Sequence, residues 1–186
     1  MKRRVLLAAG LATPVLWAAA DDIGDRLRAG GVVIAFRHAL APGTFDPPNF
    51  RIDECSTQRN LNDEGRAQAR RIGEWFRARA LQPAAVRSSP WCRCVDTATL
   101  AFGRGEPWRA LGSPHGATET TNAESLQELR AAIAAATRQR GRFEVWVTHM
   151  FILGDLVGAN AVSGEGLLLG ADSSGIPQVL GRLLVG

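Results

Sequence analysis

Continuous apolar runs mark the strands of this chain. Residues 32–36 and 143–147 are largely apolar without strict alternation, which indicates strands that are buried on both faces of a parallel sheet. Residues 84–86 form a shorter segment of the same kind. Residues 167–169 and 179–185 flank a Ser-Ser-Gly turn and predict a closing antiparallel pair.

Between these strands, apolar positions recur with the spacing of helices. Asn62 is a suitable cap for one helix, Asn122 for another, and Gly103 predicts a helix end. Residues 104–121 show no regular pattern. The order of elements predicts a three-layer α/β/α sandwich with a mainly parallel central sheet. The predicted helices cover residues 22–29, 62–80, 91–102, 123–139 and 151–157.

The first twenty residues differ from the rest of the chain. A basic start, Met1–Arg4, precedes an apolar run over residues 5–17 and three alanines, which is the layout of a secretory signal peptide. We therefore expect a signal peptide over 1–20 and one domain over 21–186, without a stable membrane anchor after cleavage. The expected location is the periplasm or the medium. An uncleaved N-terminal anchor is the alternative, and export through either the general or the twin-arginine route fits the pattern.

The charge of the chain changes when the signal is removed. The full chain has 22 basic and 18 acidic residues, and without Lys2, Arg3 and Arg4 the balance is 19 against 18. This balance does not favour nucleic acid as a partner. Lys2 is the only lysine, which excludes lysine Schiff-base chemistry and a Walker-type phosphate loop in the mature domain. Anion recognition must then use arginine, histidine or backbone amides.

Candidate functional residues follow three of the predicted strands. Arg37 and His38 follow the first, Arg93 lies in the first turn of the helix after the second, and His149 follows the third. The carboxyl ends of parallel strands are where ligands bind in such sheets. Two arginines and two histidines could bind a phosphoryl group and attack it. Taken singly, each of the four is equally compatible with a hydrogen-bonded structural residue.

Four segments together resemble the histidine phosphatase superfamily. Val33–Ala39 resembles the Arg-His signature of the family, and Gln58–Ala69 resembles the segment that follows this signature. Ser88–Ala98 resembles the segment of the family that runs from a serine to an arginine, and Val145–His149 resembles the late strand that ends on a histidine. The four segments occur in the same order as in the family. The resemblance covers most of the mature chain and implies a phosphoglycerate mutase-like fold.

The resemblance also implies roles for the four candidate residues. His38 corresponds to the histidine that becomes phosphorylated, and His149 to the second histidine of the phosphate pocket. Arg37 and Arg93 correspond to the arginines that grip the phosphoryl oxygens. The implied activity is a metal-independent phosphatase that uses no cofactor, and the implied partner is a small phosphorylated substrate. A phosphosugar, a lipopolysaccharide phosphate and a nucleotide all remain open as substrates.

The resemblance leaves the proton donor to the leaving group unassigned. Glu119 and Glu124 lie between Arg93 and His149, but the residues around them do not reproduce the acid motifs of larger members. Surface glutamate is the competing interpretation of both. Arg59 either approaches the substrate or anchors its loop, and His115 is expected to be a loop residue.

Two other functions compete with an exported phosphomonoesterase. One is a protein phosphohistidine phosphatase, which some short members of the family resemble, although export argues against it. The other is a catalytically silent phosphate-binding protein, against which the retention of all four site residues argues.

The chain has three cysteines, Cys55, Cys92 and Cys94. Their spacing does not fit a zinc site, and export permits a disulfide. Cys55 lies in the loop after the His38 strand, and the other two flank Arg93 after a neighbouring strand. Because successive helical positions point in different directions, only one of the two should meet Cys55. We therefore predict a disulfide from Cys55 to Cys92 or to Cys94.

Overall fold

A computed structural model describes residues 15–113 and 119–186, with side chains for 22–113 and 122–186. It contains a six-stranded sheet with the order β3-β2-β4-β1-β5-β6. Strands β1 to β4 are parallel, β5 is antiparallel to β1, and β6 is antiparallel to β5. The strands are β1 (Val32–Arg37), β2 (Ala85–Ser88), β3 (Glu106–Pro107), β4 (Phe143–Thr148), β5 (Glu165–Ala171) and β6 (Pro177–Leu184).

In the described parts of the chain, five helices cover the two faces of the sheet. Side chains of β1 alternate between the faces: Ile34 and Phe36 pack with α1, α2 and α3, whereas Val33 and Ala35 pack with α4 and α5. This arrangement confirms the predicted α/β/α sandwich with a mainly parallel sheet. The helices are α1 (Val15–Ala29), α2 (Asp63–Ala78), α3 (Cys92–Phe102), α4 (Glu119–Thr137) and α5 (Met150–Val157).

The predicted helix ends are confirmed at two positions. Asn62 caps α2 through its side-chain oxygen, which accepts a hydrogen bond from the backbone amide of Gly65. Gly65 also lies against the chain after β1, where a Cβ would come within 2.0 Å of the Leu40 carbonyl oxygen. Gly103 ends α3 with a φ of 74°, a left-handed conformation that glycine adopts without strain.

Three sequence predictions about helices and loops were wrong. Helix α4 begins at Glu119, so Asn122 lies inside it and does not cap it. Residues 104–121 are not wholly irregular, because they contain β3 and a 3₁₀ turn at Arg109–Leu111. Helix α1 begins at Val15 and not at residue 22.

Most of the expected signal peptide lies outside the described residues. Within the described ranges, no helix combines the length and apolarity that a membrane crossing needs.

Candidate active site

The register of β1 and β4 brings the two predicted histidines together. Arg37 pairs with Thr148 at the ends of these strands, so His38 and His149 follow at equivalent positions. The backbone amide of His38 donates to the Thr148 carbonyl at 2.9 Å. The two imidazole rings lie edge to face with their centroids 5.5 Å apart, and the two residues are 2% and 3% exposed.

The hydrogen bond of His38 fixes its tautomer. Its Nδ1 lies 2.8 Å from the Ala39 carbonyl oxygen, and a carbonyl only accepts, so Nδ1 carries the proton. Nε2 is left with its lone pair. The pKa of His38 is lowered to about 3, first by burial and also by the charge of Arg93, although the Ala39 bond opposes the shift. His38 is therefore neutral near pH 7, as a nucleophilic nitrogen must be.

His149 is held in the opposite tautomer. Arg93 Nη2, which can only donate, lies 3.5 Å from Nδ1 of His149. Its Nε2 therefore carries the proton, which it donates to Ser89 Oγ at 2.8 Å. Burial lowers the pKa of His149 well below its usual value, and the charge of Arg93 adds to the effect. Ser89, which follows β2, is a positioning residue that the sequence analysis did not identify.

Three arginines surround the histidines. The predicted Arg37 and Arg93 are joined by Arg59, for which the sequence left open either substrate contact or loop anchoring. The Nε atoms of all three are buried and have no hydrogen-bond partner among the described residues. Burial, and then the charge of Arg93, lowers the pKa of both Arg37 and Arg59, but a guanidinium remains charged near neutral pH. Unsatisfied donors at one place form a site for an anion.

Arg59 also anchors its loop, because its Nη1 donates to the Ala41 carbonyl. Arg59 also lines the same cavity as His38, so its position is compatible with substrate contact as well as with loop anchoring.

One carboxylate lies among these arginines. Asp46 Oδ1 accepts from Arg93 Nη1 at 2.9 Å and from the backbone amide of Arg59 at 2.9 Å, and Oδ2 accepts from Trp91 Nε1 at 3.2 Å. Burial raises the pKa of Asp46, but these donors outweigh it and lower the pKa overall. The sequence analysis missed Asp46 because it lies in the middle of a long loop, away from any strand end.

The candidate proton donors differ in their position relative to the cavity. Glu124 is exposed on α4 and is not among the residues that line the cavity. The side chain of Glu119 and the whole of His115 lie outside the described residues. Asp46 is the only carboxylate among the described residues that line the cavity.

A disulfide joins Cys55 to Cys92, with their Cα atoms 5.7 Å apart. This confirms the predicted link and selects Cys92 over Cys94. Cys94 is a buried free thiol, and burial raises its pKa to about 12, so it is protonated. Because Cys92 opens α3, the bond links the start of this helix to the loop that carries Asp46 and Arg59.

The site opens into a cavity of about 270 Å³ at the carboxyl edge of the sheet. Its inner end carries the two histidines and the three arginines. Within the described ranges, no group of three or more histidines, cysteines or acidic residues is placed to hold a metal ion. The fold and the site together define an α/β protein in which strand ends bring two histidines and three arginines around one cavity.

A family model described as the histidine phosphatase superfamily (branch 1) matches residues 55–113. Among solved structures, a protein histidine phosphatase SixA complexed with tungstate has a TM-score of 0.53 and 16% identity, covering 82% of this chain and 96% of that one. A phosphoglycerate mutase from Thermus thermophilus has a TM-score of 0.51 and 18% identity, covering 83% and 99%. A mycobacterial glucosyl-3-phosphoglycerate phosphatase has a TM-score of 0.53 and 15% identity, covering 75% and 92%. No curated protein matches the chain.

The part of the chain over residues 55–113 is therefore similar to the histidine phosphatase superfamily, branch 1, and the fold is shared with the solved structures over most of the chain. The solved structures, at these identities, establish the phosphoglycerate mutase-like fold and no more. Members of the superfamily are phosphatases or mutases, which supports a phosphatase-type enzyme.

Proposed function

We propose that this chain is an exported phosphatase that hydrolyses phosphomonoesters through a phosphohistidine intermediate on His38. The observation that carries the proposal is the state of His38. It is neutral, its Nδ1 proton is held by a carbonyl, and its Nε2 is left unprotonated among arginines whose Nε donors are unpaired. An imidazole in this state has the lone pair that an attack on phosphorus requires.

The charges of the site match a phosphoryl dianion. Arg37, Arg59 and Arg93 are positive, Asp46 is negative, and both histidines are neutral, which gives a net charge of +2. The arginines supply forked donors to the equatorial oxygens and stabilise the charge that is spread over them in the transition state.

The reaction has two steps. Nε2 of His38 attacks phosphorus, the P–N bond forms, and the P–O bond to the alcohol breaks as that oxygen takes up a proton. The oxygen of a water molecule then bonds to phosphorus as the P–N bond breaks, the protons of the water leave on dihydrogen phosphate, and neutral His38 is restored. A phosphoryl group on Arg93 would compete with Asp46 for the same guanidinium and raise the pKa of the Asp46 carboxyl. That response makes Asp46 a candidate to supply the proton of the first step.

Rapid quench with a ³²P-labelled phosphomonoester tests the assignment of the nucleophile. Peptide mapping should place acid-labile label on His38, and His38→Ala should abolish both label and turnover. His149→Ala is the matched control, because it removes an imidazole from the same site and leaves the nucleophile in place. Label found only on a serine would refute the assignment.

A protein phosphohistidine phosphatase is the second candidate. It is supported by the likeness in fold to SixA, a protein described as a protein histidine phosphatase. The two functions separate in one assay, in which the purified protein is offered a phosphohistidine-bearing protein and a panel of small phosphomonoesters. Turnover of the protein substrate alone would favour this candidate.

Export is proposed from the first twenty residues and is supported by the Cys55–Cys92 disulfide, since such bonds persist in oxidising compartments. We expect the mature protein to begin near Asp21 in the periplasm or the medium. N-terminal sequencing of the native protein tests this expectation. An intact Met1 on a cytosolic protein would refute it and strengthen the phosphohistidine candidate.

A further inference from the structure

The outer part of the cavity is lined by aromatic rings. Two parallel pairs lie there: Phe45 with Phe151, whose centroids are 6.4 Å apart at an interplanar angle of 9°, and Phe50 with Trp91, at 5.5 Å and 12°. Each pair joins the loop after β1 to a different segment, since Trp91 precedes α3 and Phe151 belongs to α5. The aromatic wall is thus assembled only in the folded protein.

This wall begins beside the phosphoryl site. The Trp91 ring lies 5.4 Å from the His149 ring, centroid to centroid, and its Nε1 donates to Asp46. A group joined to phosphorus through one ester oxygen would therefore reach aromatic surface within one or two bonds. Pro47, Pro48 and Met150 add further apolar surface to the same cavity.

Polar partners for a leaving group are few among the described lining residues. The charged side chains are the three arginines and Asp46, which we assign with the two histidines to the phosphoryl site, and the Trp91 N–H donates to Asp46. Apart from these, the polar side chains that line the cavity are the hydroxyls of Thr44 and Ser113. A sugar or a polyol needs several hydrogen-bond partners to replace the water that it loses on burial, whereas an aromatic ring needs none.

We propose, resting on the phosphatase function above, that the substrate is a phosphomonoester whose leaving group carries an aromatic ring close to the ester oxygen. The rings of Phe45, Phe50, Trp91 and Phe151 would bury this ring, while the arginines hold the phosphoryl group. Burial of one aromatic ring corresponds to a preference of roughly ten- to a hundredfold in kcat/KM.

The test compares benzyl phosphate with glycerol 3-phosphate in the native, disulfide-bonded protein. Both are esters of primary alcohols, so their leaving groups make similar chemical demands, and they differ mainly in the group that meets the wall. We expect kcat/KM to favour benzyl phosphate by roughly ten- to a hundredfold, with most of the difference in KM.

Phe45→Ser tests whether the aromatic wall causes this preference. Phe45 is 63% exposed, so the variant should fold, and the ratio of the two kcat/KM values should fall several-fold towards one. Ile176→Ser is the matched control. It alters an apolar side chain that is 60% exposed before β6 and not among the residues that line the cavity, and it should leave the ratio unchanged.

The outcomes separate the two proposals. If glycerol 3-phosphate is turned over as well as benzyl phosphate, and His38 still carries the label, the phosphatase stands and this inference is overturned. A preference for benzyl phosphate that Phe45→Ser leaves intact also overturns it, because the wall would not be its source. If neither ester is hydrolysed and His38 takes no label, the phosphatase proposal fails and this inference fails with it.

Discussion

Removal of the Cys55–Cys92 disulfide should lower stability without dismantling the site. The bond closes a loop with a sequence separation of 37 residues. For a loop of this length, the chain-entropy model gives about 4 kcal/mol of stabilisation, through restriction of the unfolded chain. This is a large share of the stability of a single domain.

The folded geometry should survive because other contacts join the same elements. Gln58 accepts from the backbone amide of Cys92 at 3.0 Å through its side-chain oxygen. The same side chain donates to the carbonyls of Arg51 and Ile52 at 3.0 and 2.9 Å. The loop therefore remains attached to the start of α3, and the loss of the disulfide acts mainly on the unfolded state.

Urea unfolding measures the effect. The wild-type protein, oxidised and after reduction, is compared with a Cys55→Ala/Cys92→Ala variant, and unfolding is followed by tryptophan fluorescence. The free energy of unfolding should be about 4 kcal/mol lower in the reduced and variant proteins, while kcat/KM at low temperature stays close to wild type. The variant is its own redox control, because it retains Cys94 and should not respond to reductant.

A loss of less than about 1 kcal/mol would refute the entropic argument and indicate a compact denatured state. A loss of that expected size accompanied by collapse of kcat/KM would instead show that the disulfide, and not Gln58, holds the loop in the folded protein.

Three further predictions concern charge. The pKa of His38 is about 3 in the folded protein, mainly because of burial, against the usual 6.5, so between these pH values the unfolded chain binds a proton that the native one does not. The free energy of unfolding should therefore fall as the pH drops from about 6.5 towards 3, and it should fall less steeply in His38→Asn. Urea titrations at each pH measure both slopes. Asp46→Asn removes the only negative charge among the described residues of the site, and orthophosphate should bind about tenfold more tightly to this variant, as measured by calorimetry. Weaker binding would mean that the hydrogen bond by which Asp46 positions Arg93 contributes more to phosphate binding than the repulsion between the two negative charges costs. Activity should survive EDTA, and complete loss that a divalent ion restores would contradict a metal-independent site.

The pattern along the chain was enough to predict the architecture and the first half of the site. Continuous apolar runs of this length indicate strands covered on both sides, and the residues directly after such strands in a parallel sheet meet at one edge. That reasoning located His38 and His149, and helical geometry required that one cysteine, and not both, reach Cys55. The positions of these residues follow from local pattern and strand order, whereas the roles of the two histidines were implied by the family resemblance.

The second half of the site follows from tertiary packing. Asp46, Ser89 and the aromatic wall come from a long loop and from helix starts, where no periodicity constrains the side chains. Several of their contacts join residues far apart in the chain, such as Asp46 with Trp91, 45 positions apart, and Ser89 with His149, 60 positions apart. The tautomer of His149 is likewise set by Arg93, 56 positions away in the chain, whereas that of His38 is set by the carbonyl of the next residue, Ala39. Local sequence cannot encode such pairings, because they exist only once the sheet has brought its loops together.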